Sequence, residues 1–278
     1  MRPPMVACLS WAQQTGEMDL RAAERRRVEP GALASAAIAT LFVDQQARDA
    51  PAVAIPRPEV QVVARFGPAA RGGLDIHAMG VRERVHRKRL RGGQWSVTAR
   101  LRLGTHEAAL GAPASQLTGR IVPLDDLWGD VAARRLVNRM GEARAAVDAA
   151  AILESALAER LAVTSPDRTR LPLVVEAAAR LTSAGVGAVA ADLSVSERHL
   201  RRLFREAVGV GPKTFARLAR FGRALAAARR SAAANWAGIA SDVGYYDQAH
   251  LIADFRAIAG VTPQALLAEL GTALTLGC

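Results

Sequence analysis

The 278 residues are enough for two ordinary domains, each with its own core. Half are hydrophobic and 23% are charged, and the two cysteines stand at positions 8 and 278, which argues against a disordered chain and against a disulfide scaffold. No apolar run reaches the 18 residues of a membrane span, and the formal charge of +11 points towards a polyanionic partner.

The charge is unevenly placed. All basic residues but Lys88 and Lys213 are arginines. Residues 196–230 hold ten basic and two acidic side chains, whereas 231–278 hold Arg256 and four acids. A basic block in a chain of this kind suggests nucleic acid, and a solvated charged face is the plain alternative.

In chain order, residues 1–30 are polar and weakly patterned, and are expected to form a poorly ordered leader without the long apolar stretch of a secretory signal. Residues 32–43 are apolar and fit a helix or a strand. Prolines 51, 56, 58 and 68 punctuate short β-branched runs, and Trp95, Val97, Ala99, Leu101 and Leu103 alternate after Gly92-Gly93. Residues 60–103 therefore predict several short antiparallel strands. Beyond Thr105 the pattern turns helical: short helices near 107–110, 114–117, 124–127 and 131–139, then a longer one over 145–163. Thr164-Ser165-Pro166-Asp167 breaks that pattern and marks a domain boundary.

The last third contains a repeat. Residues 196–212 (SERHLRRLFREAVGVGP) and 247–263 (DQAHLIADFRAIAGVTP) match at seven of 17 positions with a constant offset of 51. Self-similarity at a fixed offset marks a duplicated supersecondary unit. Each copy reads as helix, turn and second helix, with Ser196 and Asp247 as N-caps of the second helices. Residues 212–230, with Phe215, Leu218, Phe221 and Leu225 inward, predict one helix joining the units, with Pro212 in its first turn.

The second helix of the first unit has two unlike faces. Leu200, Leu203, Phe204 and Ala207 form a stripe for burial. Arg198, Arg201, Arg202 and Arg205 repeat the same spacing on roughly the opposite side. Four guanidiniums on one exposed face repel one another unless a counter-charge is present. A helix of this size fits the major groove, where arginine bonds guanine bidentately or grips phosphate. In the second unit the matching positions are Ala249, Ile252, Ala253 and Arg256. Gln248 can read adenine there, and His250 either contacts phosphate or packs.

These residues, together with IASDVGYYDQAHLIADFRAIAGVTPQAL, resemble the DNA-binding domain of the AraC/XylS family of bacterial transcription regulators. The resemblance covers about 167–270. It implies two helix-turn-helix units on a connecting helix, entering successive major-groove segments. Carried over, the DNA-facing residues are Arg198, Arg201, Arg202 and Arg205, then Gln248, Ala249, Ile252, Ala253 and Arg256, with His250 a further candidate contact from the residue reading. The family commonly places a small polar residue and an arginine where Ile252 and Ala253 stand, so the first unit is expected to dominate. Residues 90–128 are similar to the sensor-type domain of one subgroup and name no ligand.

Enzymatic readings lack residues. The five histidines show no HxH or HExxH spacing, and neither a GxSxG elbow nor a phosphate-binding GxxxxGK[ST] loop occurs. Asp125, Asp126 and Asp130 read as helix starts, and Trp95 and Trp128 as core residues. The expected fold class is an α+β N-terminal domain of short antiparallel strands and helices, followed by an all-α domain of two helix-turn-helix units. Its parts are the leader, a sensor or dimerisation domain over 31–165, the DNA-binding domain over 167–270 and a tail over 271–278. Double-stranded DNA is the expected partner, without a cofactor, metal or membrane. RNA polymerase, a small-molecule effector and a second copy of the chain are the further partners that the reading admits, in the cytoplasm. The rival readings are a regulator-derived protein whose C-terminal domain has become a protein-interaction module, and an enzyme with a fused DNA-binding domain.

Overall fold

The structure is a computed structural model that describes residues 23–31, 34–35, 37–164, 170–231 and 234–276. Cys8, Cys278 and the first 22 residues of the expected leader lie outside them. So do residues 165–169, which contain most of the expected boundary.

The alternating stretches form strands as their period of two requires. A six-stranded antiparallel sheet has the order β1-β2-β7-β4-β5-β8. Its strands are β1 (Ala23–Val28), β2 (Ile38–Gln46), β4 (Gln61–Phe66), β5 (Leu74–Met79), β7 (Gln94–Leu101) and β8 (Ile121–Pro123). Val62, Ala64, Val97, Ala99 and Leu101 are buried on one face, in one cluster with Leu153 and Leu157 of helix α5 (Ala146–Val163). Helices α1 (His106–Leu110), α2 (Ala114–Leu117), α3 (Leu124–Trp128) and α4 (Asp130–Gly141) surround that cluster. Asp125, Asp126 and Asp130 stand in the first turns of α3 and α4. Trp128 donates its indole N–H to the Ala109 carbonyl at 3.0 Å.

A second sheet has the order β6-β3-β9, formed by β3 (Ala50–Ala54), β6 (His86–Leu90) and β9 (Leu274–Leu276). Two expectations are corrected here. Residues 23–28, assigned to the leader, are a strand paired with β2, with Arg26 opposite Val43. The charged sequence AERRRV hides it because it is an edge strand, where exposed charge is the usual composition. Arg25 holds it with two bonds to the Asp44 carboxylate, at 2.7 and 3.1 Å. Likewise 271–278 is not a plain tail. Residues 274–276 run parallel to β3, with Ala52 opposite Leu274. Such a pairing joins segments more than 200 residues apart, and no local pattern announces it.

The C-terminal region is helical: α6 (Arg170–Arg180), α7 (Val186–Asp192), α8 (Glu197–Ala207), α9 (Pro212–Arg229), α10 (Trp236–Val243), α11 (Gln248–Ala259) and α12 (Pro263–Thr272). Its core gathers Leu200 and Phe204 of α8, Phe221 of α9 and Phe255 of α11, with Val53, Ile55, Val81 and Val85 from the N-terminal part. Among the described residues no single helix is long and apolar enough to cross a membrane.

Candidate nucleic-acid interface

Each helix-turn-helix unit is built by local chemistry. In the first, α7 leads through Ser194, at φ 53°, to Ser196, whose hydroxyl accepts the backbone N–H of His199 at 3.2 Å. In the second, α10 leads through Tyr245 and Tyr246 to Asp247, whose carboxylate accepts the N–H of His250 at 2.7 Å. The caps satisfy otherwise orphaned amides and start α8 and α11 at equivalent positions. Connecting helix α9 begins at Pro212 and buries Phe215, Leu218, Phe221 and Leu225.

On α8, Leu200, Leu203 and Phe204 are buried, while Arg198, Arg201, Arg202 and Arg205 are exposed. Arg201 is paired with Glu197 one turn earlier. Arg202 lies 3.2 Å from Nδ1 of the half-buried His199. Among the described residues no carboxylate lies within ion-pair distance of Arg198, Arg202 or Arg205. On α11, Gln248, Ala249, His250, Ala253 and Arg256 are exposed and Ile252 is half-buried. The His250 ring meets Tyr245 edge to face, with centroids 5.3 Å apart. Tyr246, 93% exposed in the turn before α11, is an aromatic side chain that the helix patterns passed over because it lies outside the helix.

The basic block divides by role. Arg217 bonds the buried Asp254 of α11 at 2.7 Å. Arg223 donates to the carbonyls of Thr182 and Val243 at 2.6 and 3.1 Å. Arg220 lies over the Tyr245 ring. Burial, then Asp254, raises the Tyr245 phenol above its ordinary range. These three arginines tie α9 to its neighbours, so the sequence's count of ten basic groups overstates the charge that an outside polyanion would meet.

The N-terminal part touches both units. Thr118 donates to the Gly209 carbonyl at the end of α8, at 3.0 Å. Arg87 bonds both oxygens of Glu269 at 2.7 and 2.8 Å, and also the Ala259 carbonyl. Among the described residues no group of three or more His, Cys, Asp or Glu side chains could hold a metal ion.

Two capped helix-turn-helix units stand on a shared connecting helix. Residues 189–269 match the family described as "Helix-turn-helix domain". That match spans both helix-turn-helix units and the connecting helix between them. Among solved structures, an AraC-type DNA-binding-domain regulator from Chromobacterium violaceum is 22% identical over 35% of this chain and 91% of its own, with a TM-score of 0.32. ToxT from Vibrio cholerae is 8% identical over 89% of this chain and 98% of its own, at 0.44. ToxT bound to (E)-4-(8-methylnaphthalen-1-yl)but-3-enoic acid is 9% identical over 90% and 100%, at 0.46. A comparison with curated proteins finds no match.

Proposed function

We propose that this regulator reads a specific duplex sequence, with α8 and α11 entering successive major-groove segments and the first unit carrying most of the contact energy. The observation that carries this reading is the α8 surface, where three of four exposed arginines lack a carboxylate partner among the described residues. Arg198, Arg201, Arg202 and Arg205 grip phosphates and guanine edges. Gln248, His250 and Arg256 of α11 make fewer contacts and set the register. The N-terminal domain is the sensor of a small-molecule effector, and the protein acts in the cytoplasm.

The test is a gel-shift series on a duplex selected from a random pool. Arg201→Ala and Arg202→Ala should each cost about 1–3 kcal/mol of specific affinity. Ala253→Gln, at the matching place in the second unit, should change affinity much less. Affinity should also fall steeply with salt, as counterion release requires. Equal losses from the two units would refute the asymmetry, and a flat salt titration would favour a protein-interaction module.

A further inference from the structure

Two sheets packed face to face normally interdigitate apolar side chains. The two sheets instead border a cavity of about 700 Å³ lined by many charged side chains as well as apolar ones. On the large sheet, the residues that alternate away from the helix-packed face include Gln61 and Arg65 of β4, His77 of β5, and Ser96 and Thr98 of β7. The small sheet contributes His86, Lys88 and Leu90 of β6 and all of β9. Nine basic side chains line the space against two acidic ones, Asp44 and Glu59.

Three of the basic groups have carboxylate partners: Arg25 with Asp44, Arg65 with Asp75, and Arg87 with Glu269. Among the described residues no carboxylate lies within ion-pair distance of Arg57, Arg82, Arg84, Lys88 or Arg229. Lys88 is exposed and lines the cavity, with protein crowded around its ammonium. Burial, and then the charges of Arg82 and Arg65, push its ammonium below the usual lysine range against the pull of Asp44. Like charges gathered in a concave space destabilise the empty state and favour an entering anion. The volume suits a small molecule, and Val63, Met79, Leu90 and Trp95, the last stacked on Phe66, supply apolar wall.

We propose that this cavity binds a small organic anion carrying two or more negative charges, carboxylate or phosphate, and that this anion is the regulator's effector. The effector role rests on the sensor reading above, whereas the binding site does not. Arg229 of α9, Leu270 of α12 and the strand β9 also line the space, so an occupant touches the DNA-binding domain directly. A single-charge amphiphile would leave most of the unpaired cations uncompensated.

The test is titration calorimetry on the full-length, DNA-free chain with citrate, pyrophosphate and octanoate as probes. Citrate or pyrophosphate should bind saturably, octanoate more weakly than either, and Lys88→Gln or Arg82→Gln should weaken the polyanion at least tenfold. The same substitutions should raise the ligand-free melting temperature, because each removes one of the mutually repelling charges. A lysine or arginine with only a packing role would lower it. Absence of saturable polyanion binding, equal binding by the variants, or tighter binding of octanoate would overturn the proposal. Duplex binding is measured separately on anion-free protein, so failure of the cavity and failure of the DNA reading are told apart.

Discussion

At the residue scale, the same amino acid serves opposite ends according to its surroundings. The four arginines of α8 stand in solvent, whereas Arg217, Arg220 and Arg223 of α9 are spent on Asp254, Tyr245 and two carbonyls. The acids after residue 230 divide in the same way. Asp247 is a cap, Asp254 answers Arg217, and Glu269 answers Arg87, so the negative balance of this stretch is largely architectural. Removing one partner of the Arg217–Asp254 pair should therefore be asymmetric. Asp254 is nearly buried, with 10% of its side chain accessible, while 38% of Arg217 is accessible. Arg217→Ala leaves a buried carboxylate without its guanidinium and should cost about 1–3 kcal/mol. Asp254→Asn leaves a cation that can hydrate and should cost less. Urea unfolding of both variants measures the difference, and a larger loss from Asp254→Asn would refute it.

Two histidines give a pH prediction at the same scale. Burial lowers His106 to about 4, and burial aided by Arg65 lowers His77 to about 4 despite the opposing Asp75. The unfolded chain takes up these protons from about pH 6.5 downward, and the folded chain only near pH 4. Acidification through that window therefore favours unfolding. From pH 7 to 5.5 each histidine should withdraw on the order of 1 kcal/mol. His106→Leu should remove roughly half of this histidine contribution to the fall, read by thermal unfolding at the two pH values.

At the element scale, the duplicated units show how equal sequence acquires unequal roles. Gly209 and Gly260 occupy the same repeat position and both follow the second helix of a unit at positive φ, 90° and 75°. A side chain at either place is strained, by about 1–2 kcal/mol. Their surroundings differ. A Cβ on Gly209 would come within 2.1 Å of the Thr118 hydroxyl and 2.9 Å of the Ala114 carbonyl, whereas nothing lies within 4 Å at Gly260. Gly209→Ala should thus lower the melting temperature more than Gly260→Ala. Equal shifts would mean that α2 does not dock on the end of α8 in solution. The strands teach a related lesson. β7 was legible because Val97, Ala99 and Leu101 alternate with polar residues, while β1 and β8 were not, the first for its charge and the second for its three-residue length.

At the scale of the whole molecule, the N-terminal sheets and the helical region are not beads on a string. Arg25 of β1 donates to the Thr275 carbonyl of β9, and Ile55 donates its N–H to Leu276. Val85 donates to the Ile258 carbonyl of α11, and the valines at 53, 81 and 85 sit in the helical core. Both helix-turn-helix units are therefore held to the domain that encloses the basic cavity. Deleting residues 273–278 removes β9, a wall of that cavity, and part of the tie. Such a truncation should lower the melting temperature and weaken citrate binding. Unchanged values for both would show that β9 contributes neither closure nor anchorage.

What the sequence determined alone was whatever rests on neighbours along the chain. The caps, the buried stripe of α8, the arginine face opposite it and the 51-residue repeat all follow from periods of 3.6 residues and from side-chain chemistry within one turn. The AraC resemblance and the DNA-binding reading rest on those same residues. Tertiary structure decided what depends on encounters between distant segments. It chose which arginines bond inside the protein, brought 274–276 beside 52–54, and turned the polar faces of two sheets towards each other. Side-chain period specifies which residues share a face, but only the packed chain specifies what that face meets.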